Sequence, residues 1–147
     1  MKDFKIGIGS DHGGVELKKE IIEYLTKKGY SVENFGTDSK ESVDYPEIAK
    51  KVVSALVEGK CQKGILICGT GIGMSLCANR VKNIRAVACS ETTTAKYSRL
   101  HNDSNVLCLG ARIIGFETAK DICDIWLNTE FENDERHLRR INLIEKF

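Results

Sequence analysis

The sequence predicts an α/β fold: a Rossmann-like, doubly wound sheet of five parallel strands, with helices on both faces and a C-terminal helical tail. Short apolar runs alternate with longer segments of helical spacing, which is the pattern of βαβ units. The runs are apolar throughout, as in Gly64-Ile65-Leu66-Ile67-Cys68, which favours strands covered on both faces. The length of 147 residues suits one domain, which we expect to span residues 1–147.

The first strand and helix are predicted at residues 4–9 and 15–28. Residues 4–9 are a short apolar run, and residues 15–28 carry one apolar stripe at helical spacing, consisting of Leu17, Ile21, Ile22 and Leu25. Gly29 is typical of a helix end, and the second strand is expected at 30–35.

The middle of the chain repeats this alternation. Pro46 suits the first turn of a helix that runs to about residue 58. A third strand is predicted at 64–68 and a helix at 73–80, immediately after a glycine-rich loop.

The last part of the chain contains two more strands, predicted at 84–89 and 105–109. Helices are expected at 92–100 and 116–127, and the charged tail at 133–147 is expected to form a final helix.

Composition excludes several classes of partner. The formal net charge of +1 gives no global field for nucleic acid or for a membrane surface. No apolar run approaches the roughly 20 residues that span a bilayer. The first strand starts at Phe4, which leaves no room for a signal peptide, so a cytoplasmic location is expected.

The six cysteines are not spaced as ligands or redox pairs. No C-x-x-C occurs, which excludes zinc-ribbon and thioredoxin-type sites. Four of the cysteines lie in apolar stretches and are expected to be buried free thiols: Cys77, Cys89, Cys108 and Cys123.

Cys68 is the strongest candidate for chemistry. It stands where a strand ends and a glycine-rich loop, Gly69-Thr70-Gly71-Ile72-Gly73, leads into a helix. Free backbone N–H groups gather at such a junction, and glycines let them approach a ligand closely. The residues alone leave two interpretations: a buried packing cysteine, or a nucleophile or base beside anion-stabilising donors.

Nucleotide-binding motifs are absent. A dinucleotide fingerprint starting at Gly7 would need a glycine where His12 stands, and the loop that starts at Gly69 is followed by Met74. No P-loop pattern occurs. Binding of a phosphate or an oxyanion at a helix start remains open.

Further polar candidates follow strands or occupy helices. Asp11 and His12 follow the first strand, where they either cap a helix or bind a ligand. His101 follows the fourth predicted helix. Arg136 and Arg140 lie four residues apart on one helical face, which is either solvated or a phosphate clamp.

Taken together, these motifs resemble the B-type ribose-5-phosphate isomerases, in the sugar-phosphate isomerase family that includes galactose-6-phosphate isomerase subunits. The resemblance covers essentially the whole chain. It rests on Gly-Ser-Asp-His-Gly-Gly at residues 9–14, Asp44-Tyr45-Pro46, Cys68-Gly69-Thr70-Gly71-Ile72-Gly73, Arg85-Ala86-Val87, His101-Asn102-Asp103-Ser104-Asn105-Val106-Leu107 and Gly110-Ala111-Arg112.

The resemblance implies aldose–ketose isomerisation of a sugar phosphate through an enediolate, without a metal or other cofactor. It implies that Cys68 is the base that moves a proton between C1 and C2 of the sugar and that His101 opens the furanose ring. The enediolate oxygens would be held by Thr70 and by backbone N–H groups of Gly69, Gly71, Ile72 and Gly73. Sugar contacts are implied for Asp11, Tyr45 and Asn102, and phosphate contacts for His12, Arg136 and Arg140, with His137 and Arg112 as additions.

One branch of the family uses a glutamate just after the glycine loop as its base. Met74 occupies that place here, so the chain matches the cysteine branch. The resemblance also implies a homodimer, or a dimer of dimers, with active sites shared between subunits.

The expected substrate is ribose 5-phosphate. The alternatives are a six-carbon substrate, allose 6-phosphate or galactose 6-phosphate, and a non-catalytic module that binds a sugar phosphate or a nucleotide.

Overall fold

The computed structural model describes residues 3–147 and confirms the predicted α/β fold. Within residues 3–147, five strands form one sheet: β1 (Lys5–Ser10), β2 (Ser31–Asn34), β3 (Lys63–Cys68), β4 (Ala86–Ala88) and β5 (Val106–Gly110). All neighbouring pairs are parallel, and the order across the sheet is β2-β1-β3-β5-β4. The strand order therefore reverses between β1 and β3, which is where open α/β sheets bind ligands.

Six α-helices connect or follow the strands in the described residues: α1 (Val15–Lys27), α2 (Tyr45–Val57), α3 (Ile72–Ala78), α4 (Thr92–Asn102), α5 (Phe116–Asn128) and α6 (Glu135–Glu145). A single 3₁₀ turn at His12–Gly14 precedes α1. None of these helices combines the length and apolar character needed to span a bilayer.

The helices cover both faces of the sheet. Odd-numbered side chains of β3 and β5, such as Ile65 and Leu107, pack with α1, α4 and α5. Even-numbered ones, such as Leu66, Cys68 and Cys108, pack with α2 and α3. This period of two follows from the pleat of the strands and puts the Cys68 side chain on the α2 and α3 face.

Three helices differ from the predicted ones by two residues at one end or both. Helix α3 is Ile72–Ala78, so it begins and ends earlier than predicted, and its N-cap Gly71 has a left-handed backbone. Helix α4 continues through Asn102, so His101 lies in its last turn and does not follow it. Helix α6 starts only at Glu135 because Asp134 caps it.

The two edges of the parallel sheet hold different candidate residues. All strands end at the carboxyl edge, where Cys68 lies. Helix α4 runs back against the strands and ends at the amino edge, where Arg85 Nε donates to the Asn102 carbonyl at 3.0 Å and the Asn105 N–H donates to the Arg85 carbonyl at 3.0 Å. The length of a six-residue strand separates the edges by roughly 16 Å.

Candidate active site

The Cys68 thiol lies buried at the end of the central strand. Its Sγ accepts the N–H of Gly71 at 3.1 Å, and its carbonyl accepts the N–H of Ala111 at 2.8 Å. The neighbouring strand ends are fixed in the same way, because the Asp11 N–H donates to the Ile67 carbonyl at 3.0 Å. The thiol is thus held at the reversal point of the sheet with a backbone donor aimed at its sulfur.

The loop after Cys68 wraps tightly over the end of β5. Gly71 has a φ of +79°, and a Cβ there would lie 3.0 Å from the carbonyl carbon of Leu109. The position therefore requires glycine both for its left-handed backbone and for close contact.

This loop presents backbone donors beside the thiol. The N–H groups of Gly69, Thr70 and Gly73 are hydrogen-bonded to no residue within 3–147. The Ile72 N–H donates to Oγ1 of Thr70 at 3.2 Å, which leaves the Thr70 hydroxyl hydrogen free to donate elsewhere. The loop can therefore donate several hydrogen bonds to oxygens with developing negative charge.

Two side chains border the loop. The ring of Tyr45 lies against Gly73, such that a Cβ on Gly73 would be 2.6 Å from Tyr45 Cε1. The Arg112 side chain passes over Gly69, with its Cδ 3.5 Å from where a Cβ would lie. Both residues were expected from the resemblance to bind substrate, and both lie at the carboxyl edge.

Asp11 and His12 occupy the adjacent strand end. Asp11 Oδ1 accepts the N–H of Gly13 at 3.0 Å, so Asp11 caps the 3₁₀ turn. His12 is exposed, and its Nδ1 accepts the N–H of Val43 at 3.3 Å. The proton of His12 is then on Nε2, the ring atom left to donate to an anion.

The other candidate residues lie at the amino edge. His101, in the last turn of α4, stacks on His137 of α6, with ring centroids 4.2 Å apart and planes 18° apart. His137 is buried, with a side chain only 9% exposed, whereas its neighbours Arg136 and Arg140 are exposed. This placement gives His137 a ring contact with His101 and leaves the outward positions of the helix to the arginines.

Arg136 and Arg140 remain available to an anion. Neither forms an ion pair with a carboxylate in the described part of the chain, and the same holds for Arg112. Asp134 is nearby, but its Oδ1 accepts the N–H groups of Arg136 and His137 at the start of α6. These bonds lower the pKa of Asp134.

The remaining cysteines are free thiols without an apparent role in chemistry. Burial raises the pKa of Cys123 to about 12 and that of Cys108 well above its ordinary value. Burial also raises the pKa of Cys89 and of Cys77, although Cys77 is only half-buried, contrary to the sequence-based expectation. These thiols stay protonated near neutral pH and pack as small apolar groups.

Glu132 is a residue that sequence reasoning missed. Its Oε2 lies 3.9 Å from Nε2 of His101 and 3.6 Å from Nε2 of His137. In the sequence it is one carboxylate among several charged residues, and only its position five residues before His137 distinguishes it. The ligand atoms of His101, Glu132 and His137 lie within 4.8 Å of one another, but the two imidazole rings are stacked with planes only 18° apart. A point near the rings that lies in the plane of one ring therefore lies outside the plane of the other, which is poor geometry for a tetrahedral metal site.

The structure therefore divides the predicted residues into two groups within one chain. The carboxyl edge holds Asp11, His12, Tyr45, Cys68, the loop 69–73 and Arg112. The amino edge holds His101, Asn102, Arg136, His137 and Arg140. The two groups cannot contact one sugar phosphate together, because the length of the sheet lies between them.

Comparison with known proteins identifies the family. The family model described as Ribose/Galactose Isomerase matches residues 6–144. Ribose-5-phosphate isomerase B of Escherichia coli is 48% identical over 140 residues, which are 95% of this chain and 93% of the relative. A solved structure of Clostridium thermocellum ribose-5-phosphate isomerase B superposes with a TM-score of 0.95 at 51% identity, covering 97% of this chain and 95% of that one.

One relative with a different name is almost as similar. The D-erythrulose-4-phosphate isomerase of Pectobacterium atrosepticum is 45% identical over 128 residues, 86% of this chain and 84% of the relative. Similar proteins thus bear names with sugars of different length. On the matched model and on these identities, the chain belongs to the ribose/galactose isomerase family.

Proposed function

We propose that the chain is an aldose–ketose isomerase that interconverts ribose 5-phosphate and ribulose 5-phosphate through an enediolate. The single observation that carries the proposal is the Cys68 thiol at the reversal point of the sheet, beside the free N–H groups of the glycine loop. Both similar proteins named ribose-5-phosphate isomerase B support ribose 5-phosphate as the substrate.

The chemistry assigned to Cys68 moves one proton. As a thiolate, Cys68 takes the proton from C2 of the open-chain aldose, and the electron pair passes into the carbonyl to give the enediolate. The same thiol returns the proton to C1, while a proton passes from O2 to O1, and the ketose results. The N–H groups of the loop and the Thr70 hydroxyl stabilise the charge on the two oxygens between these steps.

Ring opening requires a separate acid and base. The furanose opens when a proton reaches the ring oxygen and another leaves the hydroxyl on C1, and an imidazole can carry out both transfers near neutral pH. His101 is the group that we assign to this step. In this scheme the sugar hydroxyls are bound by Asp11, Tyr45 and Asn102. The phosphate is bound by His12, Arg136 and Arg140.

We infer that a complete site needs two copies of the chain. Cys68 and His101 lie at opposite edges of one sheet, roughly 16 Å apart along the strands, which is too far for a five-carbon sugar phosphate to contact both. A symmetric dimer that places the amino edge of one subunit against the carboxyl edge of its partner makes two equal sites. We further infer that residues 1–147 form one domain, since a single sheet carries both halves.

Turnover by the purified protein tests the proposal. We expect conversion of ribose 5-phosphate to ribulose 5-phosphate with a higher kcat/KM than for allose 6-phosphate or galactose 6-phosphate. Greater activity on a six-carbon sugar phosphate would overturn the assignment of the substrate, but the chain would still be an aldose–ketose isomerase. Binding of ribose 5-phosphate without turnover would favour a non-catalytic module.

A further inference from the structure

His101 is flanked by two other rings and by one carboxylate. The ring of His137 stacks on it at 4.2 Å between centroids, and the ring of Tyr97 lies at 5.0 Å with a tilt of 49°. Nε2 of His101 and Nε2 of His137 both face the same oxygen of Glu132. We refer to His101, His137 and Glu132 as the histidine cluster.

The backbone fixes the other two members of the cluster against α4. The Glu132 N–H donates to the Leu100 carbonyl at 3.2 Å, which places the Glu132 side chain beside the next residue of the helix, His101. Asp134 accepts the N–H of His137 and thereby sets the start of α6. The ring of His137 is consequently buried beneath that of His101.

We propose that Glu132 and His137 are positioning residues for ring opening: they hold the imidazole of His101 in one orientation without contacting the substrate. This inference rests on the proposed isomerase function. It assigns His137 to the support of His101, in place of the phosphate contact that the family resemblance implied.

The geometry gives each partner a distinct task. The buried ring of His137 covers one face of His101 and limits rotation of its side chain. Glu132 forms an ion pair with His101 whenever the imidazole carries the proton that it transfers during ring opening. Glu132 is 47% exposed, so solvent screens this attraction, and its main effect is to set the direction of the ring.

A pair of matched substitutions tests the role of the carboxylate. Glu132→Gln keeps the side-chain shape and removes the charge. Glu130→Gln is the control, because it makes the same charge change two residues away on an exposed side chain that forms no ion pair in the described part of the chain. For the stack, His137→Phe keeps an aromatic ring over His101 and His137→Ala removes it.

Two assays separate ring opening from the proton transfer at carbon. Turnover of ribose 5-phosphate needs both steps. Exchange of the C1 hydrogen of ribulose 5-phosphate with tritiated water needs only the Cys68 step, because the phosphate on O5 keeps that ketose from closing into a furanose. We expect Glu132→Gln to lower kcat for ribose 5-phosphate about tenfold, with KM and the exchange rate within about twofold of wild type.

The stacking variants give a second readout. His137→Phe should retain most of the turnover that His137→Ala loses, while both keep the exchange reaction. Equal behaviour of Glu132→Gln and Glu130→Gln would overturn the inference. An equal fall in turnover and exchange would also overturn it, because it would indicate general damage to the site. Wild-type protein that fails to convert ribose 5-phosphate would overturn the proposed function and this inference together.

Discussion

Replacing Gly73 by alanine introduces a methyl group where the ring of Tyr45 now lies. The new Cβ would be 2.6 Å from Cε1, 2.7 Å from Cζ and 2.9 Å from Oη of Tyr45. Ordinary carbon–carbon contacts are about 3.5 Å or longer, so the ring must move by about 1 Å. Because Tyr45 is 38% exposed, it can move toward solvent without disturbing the core.

The expected effects on stability and activity are opposite. Gly73 is the second residue of α3, where alanine is favoured over glycine by up to about 1 kcal/mol, so the unfolding midpoint should stay unchanged or rise. Displacement of a substrate-contacting ring by about 1 Å should lower kcat/KM for ribose 5-phosphate about 10- to 100-fold. Urea denaturation and steady-state kinetics measure the two effects.

Two further variants show whether Tyr45 carries the effect. Gly115→Ala is the control, since nothing lies within 4 Å of its added Cβ, and it should keep full activity. Gly73→Ala should have little further effect when combined with Tyr45→Ala, because the ring that it displaces is already missing. A double variant that falls by the product of the two single effects would refute the reasoning.

Three other variants have definite expected outcomes. Cys68→Ala should abolish both turnover and C1 hydrogen exchange while calorimetry still detects sugar-phosphate binding, and undiminished turnover would remove Cys68 as the base. Gly71→Ala should lower the free energy of unfolding by about 1–2 kcal/mol in chemical denaturation, because its left-handed backbone and its contact with Leu109 strain any side chain. Arg136→Ala combined with Arg140→Ala should raise KM far more than it lowers kcat, and an unchanged KM would refute the phosphate clamp.

Much of the fold follows from local patterns. Continuous apolar runs predict the strands, because the sheet is covered on both faces. Apolar stripes at helical spacing predict the helices, because each helix buries one face against the sheet. Their ends were less predictable. Helix α4 ends at Asn102 because the next residue, Asp103, adopts a left-handed backbone conformation. Helix α6 begins only after Asp134, whose side chain caps it. These ends depend on side-chain hydrogen bonds and on backbone conformations that periodicity does not report.

The sequence predicted which residues belong to the candidate site, but it did not predict how they are placed at the two edges of the sheet. The carboxyl-edge group follows from parallel strands, since Asp11 comes directly after β1, Cys68 is the last residue of β3, and Arg112 lies two residues after the end of β5. The separation of His101 from this carboxyl-edge group depends on where α4 ends, because the helix of a βαβ unit returns the chain to the amino edge of the sheet. Glu132 could not be found, since its role depends on a backbone bond to Leu100 across two segments of the chain.

Mixing two inactive variants tests most directly whether Cys68 and His101 act together across a dimer. Cys68→Ala and His101→Ala proteins should each be inactive alone. After subunit exchange, half of the dimers are mixed and each mixed dimer has one intact site, so activity should recover to about a quarter of wild type. A mixture that stays inactive, with mixed dimers demonstrated by mass spectrometry, would contradict the shared site.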